Sequence, residues 1–471
     1  MNDPTGPWAT AAEIASAVAG GTVSALSVTQ AALARVAAGN AAINAYTDVT
    51  ADRALREAAA VDAARAAGAM PGPLAGVPFA VKNLFDVAGL PTRAGSKINR
   101  DRPPARADAS LLLRMNAAGA VLLGGLNMGE YAYDFTGENA HDGACRNPHA
   151  MGRMTGGSSS GCGAATAAGL APVSLGSDTN GSLRVPAALC GVFSLKPTYG
   201  RLGRGGTFPF VDSLDHLGPM ARSATDLALA HDALQGPDPG DHGCTGKIAP
   251  VMPSLECGVA GLRIGVLEGW FASHADTDAQ AAVSAAAAML GKTTDVFPQR
   301  FDAAEAARAA AYLITNSESA AFHLNRLRNR ADDFDPDTRD RFLAGALLPA
   351  AWIARAQRVR HWCLEQALAL FADTDLLLAP ATPCAAPLAG QRLLQLAGRD
   401  MPLRPSLGLL AQPFSCIGLP VVTVPVFAPG QLPLGVQIVA PPWREDLALR
   451  AALVLEQAGV AQAHPPGQRA A

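Results

Sequence analysis

Two serines and a lysine stand where nucleophilic chemistry could be done. Residues 156–198 read GGSSSGCGAATAAGLAPVSLGSDTNGSLRVPAALCGVFSLKPT, two Gly/Ser-dense turns on either side of a small-residue helix and a strand. The second turn, Asp178-Thr179-Asn180-Gly181-Ser182, ends in a hydroxyl and leads towards Pro186 and a further helix. Glycine in such a turn permits positive φ and lets a ligand approach the backbone closely. Successive N–H groups there can form an anion-binding nest. Acyl transfer needs that pairing, a nucleophile beside donors for the developing oxyanion. Upstream, Val77-Pro78-Phe79-Ala80-Val81-Lys82 sets a lysine at the end of an apolar strand. A lysine accepts a proton only when it is neutral, and burial favours the neutral amine. No motif positions any of the nine histidines as an alternative base.

Other readings of the same residues are blander. One Gly/Ser loop is ordinarily just a loop; two in succession with a strand-borne lysine are a stronger signal. Gly157-Ser158-Ser159-Ser160-Gly161 also satisfies G-x-S-x-G, the nucleophile elbow of α/β-hydrolases. That motif needs a preceding strand and the order Ser, Asp, His, and residues 147–156 do not read as a strand. Asp178 and Arg184 are expected to brace the loop, and Ser159 and Ser160 to support the first turn. Cys162, on a small-residue helix, reads as packing, and His216, in SLDHLGP, as part of a structural loop.

The elements that must position these groups follow from periodicity. Residues 10–65 read as helices, with Thr10 and Glu13 at capping-box spacing and Ser27 opening a second helix. Asp52 to Ala67 is an Ala-rich helix, broken by Met70-Pro71-Gly72-Pro73. Beyond it, strands at 77–82, 121–124 and 173–176 alternate with helices at 110–118 and 161–169. Residues 236–260 form a Gly/Pro-rich connection, 261–267 a strand, and 276–291 and 302–370 are largely helical with a break near Asp335-Pro336. Strands follow at 375–380, 420–425 and 435–439, the last two as a pair, and Glu445–Gly459 is a closing helix. This β-α-β rhythm predicts an α/β fold with helices covering a sheet. We divide it into a helical N-terminal layer, residues 1–69, and a catalytic unit, residues 70–471, forming one continuous body.

Composition narrows the class. A 471-residue chain is long enough for a large core, and 49% hydrophobic residues argue against global disorder. Net charge is −3, from 37 basic and 40 acidic residues. The densest basic stretch, Arg326-Leu327-Arg328-Asn329-Arg330, runs straight into Asp332 and Asp333, which suits a solvated helix face. Direct nucleic-acid binding is not expected. The eight scattered cysteines show no metal spacing and suit a reduced cytoplasm. Neither a secretory signal nor a membrane span is visible.

The 156–198 segment resembles the amidase signature. Residues 74–82 are similar to that family's lysine strand, 124–130 to the segment after its next strand, and 418–420 and 434–438 to its C-terminal strands. The resemblance covers nearly the whole chain. It implies the α/β amidase-signature fold, a large mixed sheet covered on both faces by helices. It further implies Lys82 as base, Ser158 as a bridging serine held by a cis peptide, and Ser182 as nucleophile. The amides of Thr179, Asn180, Gly181 and Ser182 would form the oxyanion hole, with no metal and no organic cofactor. The chain departs from the family pattern at Asn180, Asn83 and Ser160, where Gly, Asp and Gly are usual. Asn180 adds a side-chain amide that could recognise a polar, urea-like substrate.

The pieces DTNGSLRVPA, FPFVDSLDHLGPM, QGPDP and AQPFSCIGLPVVTVPV look most like the 1-carboxybiuret hydrolase subfamily. That likeness implies conversion of 1-carboxybiuret and water to urea-1,3-dicarboxylate and ammonia, within s-triazine and cyanuric acid breakdown. It also implies a small helical partner similar to the C subunit of glutamyl-tRNA amidotransferase. Asn180, Arg404 and Gln412 are the expected substrate contacts, with Arg404 the cationic one for an anionic substrate. Pairing of two chains through the N-terminal helices is a further expectation. Three alternatives stand beside this reading: a glutaminase like the A subunit of glutamyl-tRNA amidotransferase, a broad aryl or aliphatic amidase, and a binding-only protein without activity.

Overall fold

A computed structural model describes residues 3–396 and 398–467. Its strands, in chain order, are β1 (Tyr46–Val49), β2 (Pro78–Lys82), β3 (Val121–Leu126), β4 (Arg146–Asn147), β5 (Ala150–Met154), β6 (Val173–Asp178), β7 (Phe193–Lys196) and β8 (His216–Ala221). There follow β9 (Arg263–Leu267), β10 (Asp295–Gln299), β11 (Leu376–Pro380), β12 (Leu393–Leu396), β13 (Arg399–Pro402), β14 (Val421–Val426) and β15 (Leu434–Val439). Among the described residues, 11 strands join one mixed sheet in the order β1-β3-β2-β6-β8-β7-β14-β15-β11-β9-β10. β4–β5 and β12–β13 are separate hairpins. β2 runs parallel to both β3 and β6, whereas β14 and β15 pair antiparallel over their full length. Every residue of β2, β3, β6, β7, β8, β11, β14 and β15 is buried, so these strands are covered on both faces, as their apolar runs require.

The helices follow their sequence signals closely. The Thr10 hydroxyl accepts from Glu13 N at 3.1 Å and the Glu13 carboxylate accepts from Thr10 N at 2.9 Å, closing the expected capping box on helix Ala11–Ala19. The second helix, Ala25–Ile43, starts earlier than expected: Ser24 is its cap and accepts from Ser27 N at 3.0 Å. The long helical stretch resolves into Ala304–Arg330, Pro336–Ala346 and Ala350–Leu370. In the first of these, buried positions recur every three or four residues. No helix among the described residues is long and apolar enough to cross a membrane.

Several expectations need correction. Tyr46–Val49, inside a stretch read as wholly helical, is edge strand β1, paired with β3. Ala150–Met154 is a strand after all, but it belongs to an exposed hairpin with Arg146–Asn147 and not to the main sheet. Strands β7 and β10 had no sequence reading, His216, read as part of a loop, opens strand β8, and the 300–410 stretch also contains the hairpin β12–β13. These strands, FSLK, HLGPMA and DVFPQ, interrupt their apolar residues with polar residues or proline, so they lack the apolar run by which equally short strands were read.

Candidate active site

Lys82 closes β2, flanked by β3 and β6 in the sheet, and its side chain is completely buried. Its Nζ donates to Ser158 Oγ at 2.7 Å and to Ser177 Oγ at 2.8 Å. Among the described residues it forms no ion pair. Burial pushes its pKa down to about 7, against weaker opposing pulls from Cys162, Asp215 and Asp178. Half the amines are therefore neutral near pH 7, which a proton acceptor requires.

Ser158 follows a cis peptide at Gly157–Ser158. Its carbonyl accepts from Gly129 N at 3.2 Å, and the next amide, Ser159 N, donates to Ser182 O at 3.3 Å. The first bond ties this turn to the segment after β3, and the second ties it to the turn that carries Ser182. The Ser159 side chain faces elsewhere, since its hydroxyl donates to Ser177 O at 3.1 Å and accepts from Ser177 N at 3.3 Å. The G-x-S-x-G serine is thereby spent on strand β6, and among the described residues no histidine bonds to it. Ser160 opens helix Ser160–Ala167 and donates to Asn127 O at 3.3 Å.

The loop after β6 is held by a fully buried ion pair. Arg184 Nε meets Asp178 Oδ2 at 2.9 Å, and Nη1 donates to Ala411 O at 2.8 Å and Gln437 Oε1 at 2.7 Å. Burial alone would push the Asp178 carboxyl up; the Arg184 guanidinium overrides that and holds it well below the usual carboxylate range. Asp178 also accepts from Leu183 N at 3.2 Å and from Gly181 N at 2.7 Å. The expected oxyanion set is corrected here, because the Gly181 amide is committed to Asp178. The cavity at Ser182 is lined by Thr179, Asn180 and Ser182, and Gly181 is not among its walls. Thr179 is anchored in turn: its hydroxyl donates to Asp215 Oδ1 at 2.5 Å, while Asp215 Oδ2 accepts from Phe210 N at 2.8 Å and Val211 N at 3.0 Å.

The cavity encloses about 320 Å³ of empty space including its mouth, and Tyr133, Phe135, Phe210, Thr315, Arg341 and Gln412 complete much of its wall. Asn180 Nδ2 donates to Thr315 Oγ1 at 2.9 Å. Arg404 does not line the cavity. Its guanidinium meets Asp134 at 2.6 Å, Glu138 at 2.7 Å and Asp337 at 2.7 Å, so it is neutralised by three carboxylates. The cation in the wall is Arg341, from helix Pro336–Ala346, which sequence reasoning missed. Its Nη1 donates to Tyr133 O at 2.8 Å and its Cζ sits 3.6 Å from the Tyr133 ring centroid. Ser177 was missed too, although it lies in the same motif. Cys162 is buried with its thiol pushed up to about 12 by burial, which suits packing and not nucleophilic work. His216 Nδ1 donates to Leu214 O at 2.6 Å and its ring is buried.

Comparison with known proteins bears on the family. A model of the amidase family matches residues 27–449. AtzE, a 1-carboxybiuret hydrolase subunit of Pseudomonas sp. (strain ADP), is 55% identical over 454 residues, 96% of this chain and 98% of that one. The A subunit of glutamyl-tRNA(Gln) amidotransferase from Roseiflexus castenholzii (strain DSM 13941 / HLO8) is 37% identical, with 94% of each chain covered. A solved structure described as "an unexpected vestigial protein complex" that "reveals the evolutionary origins of an s-triazine catabolic enzyme" superposes with a TM-score of 0.95 at 54% identity, covering 97% of this chain and all of the other.

Proposed function

The chain belongs to the amidase family, and from that premise we propose that it hydrolyses 1-carboxybiuret to urea-1,3-dicarboxylate and ammonia through Ser182, Ser158 and Lys82. The observation that supports the mechanism is Lys82, a buried amine bonded to two hydroxyls, with a pKa near 7. Neutral Lys82 accepts a proton from Ser158, which takes one from Ser182 as Ser182 Oγ attacks the terminal amide carbonyl. A hydroxyl can play both parts because it donates and accepts. The oxyanion rests against the amides of Thr179, Asn180 and Ser182, each such donor contributing about 3–4 kcal/mol to the transition state. Reversal of the relay protonates the leaving nitrogen and ammonia departs. Water then attacks the acyl-enzyme by the same route, giving back the Ser182 hydroxyl and the neutral amine.

Similarity to AtzE supports the substrate, and so does the wall of the cavity. Arg341 offers a positive charge with no carboxylate bonded to it among the described residues, a fitting partner for the substrate's carboxylate. A small helical partner, similar to the C subunit of glutamyl-tRNA amidotransferase, completes the proposal. Ammonia release measured with 1-carboxybiuret, glutamine and a simple aryl amide tests it. Preference for 1-carboxybiuret supports the reading; preference for glutamine replaces it with a glutaminase, and preference for the aryl amide with a broad amidase.

A further inference from the structure

We propose that Asn180 and Gln412 form an acceptor pair that selects ureido substrates, amides whose chain beyond the scissile carbonyl bears N–H groups. The inference rests on the serine-amidase reading above and sharpens its substrate class. Asn180 Oδ1 and Gln412 Oε1 are both buried, and neither accepts a hydrogen bond from the described residues. The two residues are 6% and 5% exposed, and both line the cavity at Ser182. Buried acceptors are almost always satisfied, so two orphans in one wall mark a place where the donor arrives with a ligand.

Their origins make chance convergence a poor explanation. Asn180 stands in the turn after β6, and Gln412 opens the short helix Gln412–Cys416, far away in the chain. Thr315, from helix Ala304–Arg330, holds the Asn180 side chain through Nδ2 and so fixes its carbonyl. The hydroxyls and guanidinium nearby are donors, and Arg341 is already suited to a carboxylate.

Donor counting then defines the class. A simple amide brings only its scissile –NH2, which the relay must reach, and leaves both acceptors unpaired. A glutaramate-type chain places only methylenes between the carboxamide and the carboxylate, with the same result. A urea segment supplies two N–H groups that both point away from its carbonyl, enough for both acceptors. A site that hydrogen-bonds such groups rejects analogues lacking them far more strongly than an apolar pocket rejects a size change.

Biuret, glutaramate and 1-carboxybiuret separate the features. Biuret has the ureido N–H without the carboxylate, glutaramate has the carboxylate at the same chain length without the N–H, and 1-carboxybiuret has both. The measurement is the ratio of kcat/KM for biuret over glutaramate, in wild type, Gln412→Met and Asn180→Ala. The ratio cancels any difference in the fraction of folded enzyme. We expect it to exceed one in wild type and to fall at least tenfold in each variant. A ratio below one in wild type, or one unmoved by both substitutions, overturns the acceptor pair. If wild type leaves 1-carboxybiuret untouched yet shows the expected ratios, the named substrate fails and the acceptor pair stands.

Discussion

A buried lysine whose pKa is pushed down to about 7 sets, in the proposed relay, what the site can do and at which pH. Below about pH 7 Lys82 is an ammonium and cannot accept the Ser158 proton. The expected kcat/KM therefore falls about tenfold per pH unit on the acid side, with an apparent pKa near 7, in a profile taken over pH 5–9. Its folded value lies below the ordinary 10.5, so across the window between the two values the unfolded chain binds a proton the folded chain does not. Stability accordingly rises with pH through that window. Lys82→Met removes the burial penalty and is expected to stabilise the protein by roughly 1–3 kcal/mol at pH 7 while abolishing activity, read from denaturant midpoints. Arg341→Glu tests the cationic wall: KM for 1-carboxybiuret is expected to rise about 30-fold or more, with kcat for biuret changing far less. Arg404→Gln would act differently, by releasing Asp134, Glu138 and Asp337 from their shared partner.

At the scale of elements, the loop that carries Ser182 is held by Asp178 and Arg184, which do not line the cavity. Arg184→Met leaves Asp178 buried without its cation, and the expected loss is about 3–5 kcal/mol of stability, measured by chemical unfolding. Helix Ser160–Ala167 must approach its neighbours closely: a Cβ on Gly161 would lie 2.5 Å from Ala45 O and 2.6 Å from Asn127 N. Gly161→Ala is expected to cost about 1–3 kcal/mol in the same assay. The sequence made the helix, the strand before Ser182 and the two turns legible, because glycine, serine and small residues crowd into one continuous segment. It hid the commitment of the Gly181 amide to Asp178, which depends on loop geometry that composition does not encode. It also hid β7 and β8, which complete the sheet beside β6 but break their apolar residues with Ser, Lys, His and Pro.

The whole molecule is organised around one sheet whose strand order interleaves distant parts of the chain. β1, from the N-terminal layer, forms the edge beside β3, and Asp226 accepts from Ala11 N at 2.9 Å and Ala12 N at 3.1 Å. Removal of residues 1–69 is therefore expected to leave no folded catalytic unit, judged by loss of the cooperative thermal transition. The same interleaving explains what sequence reasoning could place in the site and what it could not. Lys82, Ser158 and Ser182 belong to local motifs, whereas Arg341 reaches the cavity from a helix whose sequence, PDTRDRFLAGA, looks like an ordinary surface stretch. Arg404 was the better-placed cation in sequence, close to Gln412, and only folding revealed the carboxylates around it. The central claim joins nucleophile and substrate, and ammonia release from freshly generated 1-carboxybiuret, wild type against Ser182→Ala, tests both together. The account predicts rapid release by wild type and a loss of at least about 10³-fold in the variant. Release that survives in Ser182→Ala, or its absence in wild type, would contradict it.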